Sequence, residues 1–134
     1  MSFVLDTHVL VWTLDNQSKL GQRCRREIDR ALRDSRLMTS AVSFWEVAML
    51  VSKKRLTLDR SVSEWRLDAL KAGVEEVPLD GAIAIGAVDL PGLHGDPMDR
   101  LIAATAVKAK ATLVTADRNL LSWKGPLACL DARV

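Results

Sequence analysis

No apolar run in this chain approaches the roughly 18 residues that span a bilayer, so no membrane helix is expected. The opening "MSFVLDTHVL" carries no basic stretch ahead of its apolar residues, so a secretory leader is not expected and the cytoplasm is the expected location. Cysteine is scarce. Cys24 and Cys129 stand far apart without CxxC spacing and read as reduced thiols, not as a metal site or redox pair. Histidine offers only His8 and His94, isolated from each other, which leaves no cluster to suggest zinc; structural or solvent roles are expected for both. The phosphate cradles GxxxxGK(S/T) and GxGxxG are missing, as is the nucleophile elbow GxSxG. There is no low-complexity tract, internal repeat or obvious linker.

What remains is a 134-residue chain with 49% hydrophobic and 27% charged residues, the balance of a folded domain with a real core, taken as one unit over 1–134. Net charge is only +2, but the cations are bunched. "RCRREIDRALR" puts Arg23, Arg25, Arg26, Arg30 and Arg33 in one helical segment, and "KKR" adds Lys53, Lys54 and Arg55. These are either a solvated face, partly neutralised by Glu27, Asp29 and Asp34, or contacts to a phosphate backbone.

Apolar β-rich runs at 2–6, 37–41, 74–79 and 112–116 read as strands, with "LACLD" as a possible last one. Helical patterns lie between them. Ser43 with Glu46, and Ser61 with Glu64, have capping-box spacing; Gly73 is a suitable helix stop, and Asp80 a suitable start. Strands that alternate with helices imply crossover connections, hence an α/β three-layer sandwich (α/β/α) around a mostly parallel sheet.

In that architecture helix N-termini lie at the edge where the strands end, and ligands bind there. Asp6 ends the first strand, and Glu46 falls in the first turn after the second. Asp96 and Asp99 open the helix before the fourth strand, and Asp117 opens the helix after it. Any one of these acids is explained by helix capping: Asp96 as cap, Pro97 at the first position, Asp99 at the third. Asp6 fits that account least, because it closes a buried strand where an unpaired charge is costly. Several crowded anions call for a hard cation, and carboxylate oxygens suit Mg²⁺ or Mn²⁺. An all-carboxylate site without a nucleotide cradle points to phosphodiester hydrolysis, which would give the bunched cations a purpose.

The segments "LDTHVLVWTL", "SAVSFWEVAMLVSKKRLTL", "HGDPMDRLIAATA" and "LVTADRNL" resemble, in order and spacing, the motifs of PIN-domain proteins, and among them the VapC-type toxins of toxin–antitoxin pairs. The resemblance covers nearly the whole chain. It implies a PIN-like fold, a Mg²⁺- or Mn²⁺-dependent endoribonuclease and a catalytic, metal-holding quartet at Asp6, Glu46, Asp99 and Asp117. It gives Asp96 an auxiliary place, and puts Thr115 and Ser43 where a hydroxyl can bond a carboxylate or water. Arg100 would pair with a carboxylate. Arg23, Arg26, Lys53, Lys54 and Arg55 become candidate RNA backbone contacts. The family further implies a homodimer or larger complex and a cognate antitoxin, for whose groove, or for the dimer face, Trp12, Trp45, Trp65 and Trp123 are candidates beside ordinary core packing. Met98 stands where the motif more often has an aromatic residue.

Two other classes compete. A phospho-receiver domain has a similar fold and an acidic Mg²⁺ pocket, but needs paired acids after the first strand, a phosphorylatable Asp after the third and a late lysine. Here Asp6 is single, Asp80 is cap-like and "ACLDARV" has no lysine. A metal-free binding module with a degenerate site is the other. Within the nucleases, DNA or flap cleavage is the competing substrate.

Overall fold

The computed structural model describes residues 1–15 and 18–134. Five short strands, β1 (Phe3–Leu5), β2 (Leu37–Ser40), β3 (Glu75–Val77), β4 (Thr112–Thr115) and β5 (Cys129–Asp131), form one sheet in the order β3-β2-β1-β4-β5. Every pairing is parallel, so the sheet is wholly and not just mostly parallel. The register sets Leu5 opposite Thr39 and Val114, which brings the ends of the three middle strands level.

Side chains alternate across the sheet and feed two cores. Phe3, Leu5, Leu37 and Val114 face one layer with Leu10, Ile28, Phe44 and Trp65. Val4 and Leu113 face the other with Ile83, Ile102, Ala103 and Leu120. The first layer takes α1 (Thr7–Leu14), α2 (Gln22–Arg33), α4 (Val62–Ala72) and two buried side chains, Phe44 and Val47, of α3 (Ala41–Ser52). The second takes α5 (Gly81–Val88), α6 (Pro97–Ala109) and α7 (Arg118–Ser122). This is the three-layer α/β/α arrangement.

Local chemistry explains most boundaries. Ser61 accepts from the Glu64 amide at 3.1 Å, as the spacing predicts, and its hydroxyl, not its main-chain amide, donates to the Glu64 carboxylate at 2.9 Å. α4 stops at Gly73, whose φ of +111° is in the left-handed region that glycine enters without penalty. Asp80 caps α5 by accepting from Ile83, and Lys108 sits 2.6 Å from its free oxygen. α3 departs from expectation. Its cap is Ser40, which accepts from the Val42 amide, and not Ser43. The helix therefore starts earlier, Glu46 moves out of the first turn, and the Ser43–Glu46 capping box does not form. "SAVS" offers two serines, and the one that closes β2 captures the first free amide.

Trp65 is fully buried, edge-on to Phe44 with centroids 6.0 Å apart, and belongs to the core. Trp123 is half-buried and donates to the Pro91 carbonyl at 2.9 Å. Trp12 is half-buried, while Trp45 is 54% exposed on α3. Cys24 and Cys129 are both unbridged; burial pushes the Cys24 thiol up to about 11, far from the reactive range.

Candidate active site

The chain runs from β1 out to β3, then returns to the other side of β1 as β4. The sheet order thus reverses beside β1, and a crevice opens at the C-terminal ends of β1 and β4. A pocket of about 340 Å³ lies there, lined by Asp6, Glu46, Asp96, Asp99 and Asp117 together with Thr7, His8, Trp12 and Ala116. Five carboxylates from four distant segments share it, as the strand-and-helix pattern predicts.

Each acid is positioned by its element. Asp6 follows β1 and caps α1, accepting from the Thr7 amide at 2.8 Å through one oxygen and from the Thr115 hydroxyl at 2.7 Å through the other. Thr115 ends β4 and also accepts from the Asp117 amide at 3.0 Å, so one hydroxyl ties two of the acids together. Asp117 caps α7 through the amides of Asn119 and Leu120. Asp96 caps α6, accepting from Met98 at 2.9 Å and Asp99 at 3.3 Å, with Pro97 in the first turn. Asp99 is then free to turn inward. Glu46, on the second turn of α3, accepts from the Thr7 hydroxyl at 2.6 Å. That hydroxyl lies 3.0 Å from the wholly buried Ser43 hydroxyl.

The electrostatics are those of crowded anions. Burial raises Asp6 above the ordinary carboxylate range, and nearby Asp117 adds to it, against the opposing hydrogen bonds of Thr115 and Thr7. Burial likewise raises Glu46, with Asp6 and Asp96 adding repulsion. Asp99 is pushed up to about 7, first by burial and then by Asp6, Asp96, Asp117 and Glu46 in turn. Carboxylates that are buried and crowded together form a donor set that a hard divalent cation fits.

Three expectations change. His94 is not isolated in space. Its Nε2 is sealed from solvent and lies 3.2 Å from an Asp99 oxygen, without the alignment of a hydrogen bond, while its Nδ1 accepts from the Asp96 amide at 3.4 Å. His94, Asp99 and Asp117 can offer three donor atoms all within 4.8 Å of one another. Arg100 pairs with no carboxylate among the described residues. Its guanidinium donates to five main-chain carbonyls, of Ala87 (2.9 Å), Val88 (2.8 Å), Leu90 (3.4 Å), Leu93 (2.8 Å) and His94 (3.2 Å). The end of α5 and the loop after it leave these oxygens without helical partners, and a five-donor fork matches them. Arg100 therefore holds the loop that presents His94. Arg23 lies away from the acids, in a groove with Met1, Phe3, Thr112 and Cys129 where β1, β4 and β5 begin. Arg26 is exposed on α2, and Lys53 and Lys54 are exposed just past α3. Arg55 lines a groove that shares His8 and Trp12 with the acidic pocket.

Thr7 and His94 are the residues that sequence reasoning missed. Thr7 had a signal, as the hydroxyl next to a strand-ending acid. His94 had a weaker one, two residues before the cap of the helix that carries Asp99.

The PIN domain family model matches residues 3–124. Ribonuclease VapC22 of Mycobacterium tuberculosis is 36% identical over 124 residues, which cover 92% of this chain and 92% of that protein. Among solved structures, VapBC2 from Rickettsia felis bound to a DNA fragment from its promoter superposes with a TM-score of 0.72 at 19% identity, over 97% of this chain and 98% of that one. DNA-bound VapBC from Salmonella typhimurium gives 0.70 at 20% identity, over 98% of each chain.

Proposed function

The chain belongs to the PIN-domain family, and from that premise we propose that it is the toxin of a toxin–antitoxin pair, an endoribonuclease that hydrolyses RNA phosphodiester bonds with Mg²⁺ or Mn²⁺ in the cytoplasm. The observation that carries the reading is the pocket in which Asp6, Glu46, Asp96, Asp99 and Asp117 converge. The relative named a ribonuclease, 36% identical over 92% of this chain, supports RNA over DNA as substrate.

In this reading Asp6, Glu46, Asp99 and Asp117 would hold the ion, which would supply water activation and charge neutralisation at the phosphate. Thr115 and Thr7 fix the two oxygens of Asp6, and Thr7 also fixes Glu46, so these two carboxylates are held in place by the protein's own hydrogen bonds. Asp96 starts α6 and thereby aims Asp99. The macrodipole of α6 favours an ionised Asp99 at its N-terminus, which a ligand must be. Arg55, in the groove that shares His8 and Trp12 with the pocket, attracts the polyanion.

The solved neighbours are VapBC complexes, which supports a cognate antitoxin as partner, in a homodimer or larger assembly. Trp45 and the α5 side chains Ile85 and Val88, 75% and 78% exposed, are apolar surface that such contacts would cover.

Incubation with total RNA tests the reading. Fragments should appear with Mn²⁺, vanish with EDTA, and be missing with Asp6→Asn; expression of the chain alone in bacteria should arrest growth. Intact RNA in Mn²⁺ together with harmless expression would overturn it.

A further inference from the structure

The acidic pocket is poorly suited to a long polyanion, because its lining carries five carboxylates and neither lysine nor arginine. Beside it lies a groove of about 360 Å³ that contains no carboxylate. Lys19 and Arg55 line it above an apolar floor of Leu50 and Leu56, and His8 and Trp12 belong to both cavities. Neither Lys19 nor Arg55 is paired with an acid among the described residues. The Lys19 ammonium stands 5.8 Å from the centroid of the half-buried Trp12 ring. His8 also stands by that ring, tilted by 53° with centroids 6.5 Å apart.

An aromatic face flanked by cations, and continuous with a hydrolytic site, has the makings of a single-strand track: bases stack on the ring and the backbone follows the charge. We propose that this groove is the path of single-stranded RNA on one side of the scissile phosphate, with the flanking base stacked on Trp12 and its phosphate held by Lys19 and Arg55. The inference rests on the RNA substrate of the reading above. Lys19 covers the ring in the free protein. Its side chain is exposed, and a cation–π contact at an exposed site is weaker than a base stack. RNA therefore displaces the ammonium from the ring, and the freed charge takes the phosphate. Base stacking is tolerant of sequence, so this groove adds affinity at the flanking position without choosing the base.

Two readouts test this. The first is fluorescence anisotropy with a labelled single-stranded RNA, on an Asp99→Asn background that prevents turnover. Trp12→Leu should weaken binding about 5- to 150-fold, the range of one base stack, and Trp12→Phe should restore most of it. Lys19→Gln and Arg55→Gln should each flatten the slope of log affinity against log salt by about 0.7. The second is turnover with Mn²⁺. On a long strand the variants should raise KM and leave kcat near wild type, and the KM effects of Lys19→Gln and Arg55→Gln should shrink on a dinucleoside monophosphate, which carries a flanking base but no second phosphate. Unchanged affinity, salt slope and KM in all three groove variants would overturn the inference and leave the groove to a protein partner. Wild-type protein that binds the strand through the groove but cleaves neither substrate would instead overturn the proposed activity and leave the groove standing.

Discussion

Asp99→Asn separates the two roles that its position permits. As the third residue of α6 it gains from the helix N-terminus, about 0.3–1 kcal/mol for an exposed carboxylate. Buried among converging acids, it is held at about 7 against an ordinary 3.8, first by burial and then by its neighbours' charge. Between those two pH values the folded protein keeps a proton that the unfolded chain has released, so stability falls as pH rises through that window. At 1.36 kcal/mol per unit, a window of about three units gives a ceiling near 4 kcal/mol at pH 8 in the metal-free protein. Asparagine removes the penalty of a buried, crowded charge and forfeits the helix contribution, a net gain of roughly 1–3 kcal/mol. For a chain of this size each kcal/mol moves Tm by about 3–5 °C. Thermal unfolding followed by circular dichroism in EDTA should therefore show a variant several degrees more stable than wild type at pH 8, with the gain lost near pH 4. Mn²⁺ should raise the wild-type Tm and barely move the variant, because a ligand stabilises only the form that binds it. A variant less stable than wild type at pH 8, with a wild-type Tm indifferent to Mn²⁺, would refute the reasoning and leave Asp99 as a helix-start residue.

Arg100→Lys keeps the charge but loses the fork that serves five carbonyls, and should cost roughly 2–3 kcal/mol in urea unfolding with faster amide exchange at residues 89–95; unchanged exchange would contradict the clamp. Thr115→Val removes the hydroxyl that donates to Asp6 and should raise that acid further. The acid limb of the activity–pH profile should then move to higher pH, by about one unit or more for the loss of one hydrogen bond to a charged group; an unmoved limb would contradict it.

Much of this was legible in the sequence because local chemistry decides it. Asp80, Asp96 and Asp117 cap the helices that their spacing predicts, Ser61 pairs with Glu64, and Gly73 stops α4. The alternation of strands and helices sends the acids to one edge, since parallel topology leaves them no other place. What stayed hidden depends on tertiary structure. The partners of Arg100 are main-chain oxygens, which no residue pattern marks. His94 meets Asp99 only because the loop after α5 folds back under that arginine. Trp65 and Trp12 have the same side chain, and only packing makes one core and the other the wall of two cavities. "SAVS" offered two caps, and the end of β2 chose between them.

The central claim is that four carboxylates brought together from distant segments form one metal-dependent hydrolytic site. It is tested most directly by the cleavage rate of one defined single-stranded RNA as Mn²⁺ is titrated into metal-stripped protein, wild type beside Asp6→Asn, Glu46→Gln, Asp99→Asn and Asp117→Asn. The wild-type rate should climb from zero and saturate, and should fall by at least 100-fold in each variant whose fold is intact, as loss of a group made to stabilise the transition state requires. Cleavage by the metal-stripped wild type, or wild-type rates in Asp6→Asn, would contradict it.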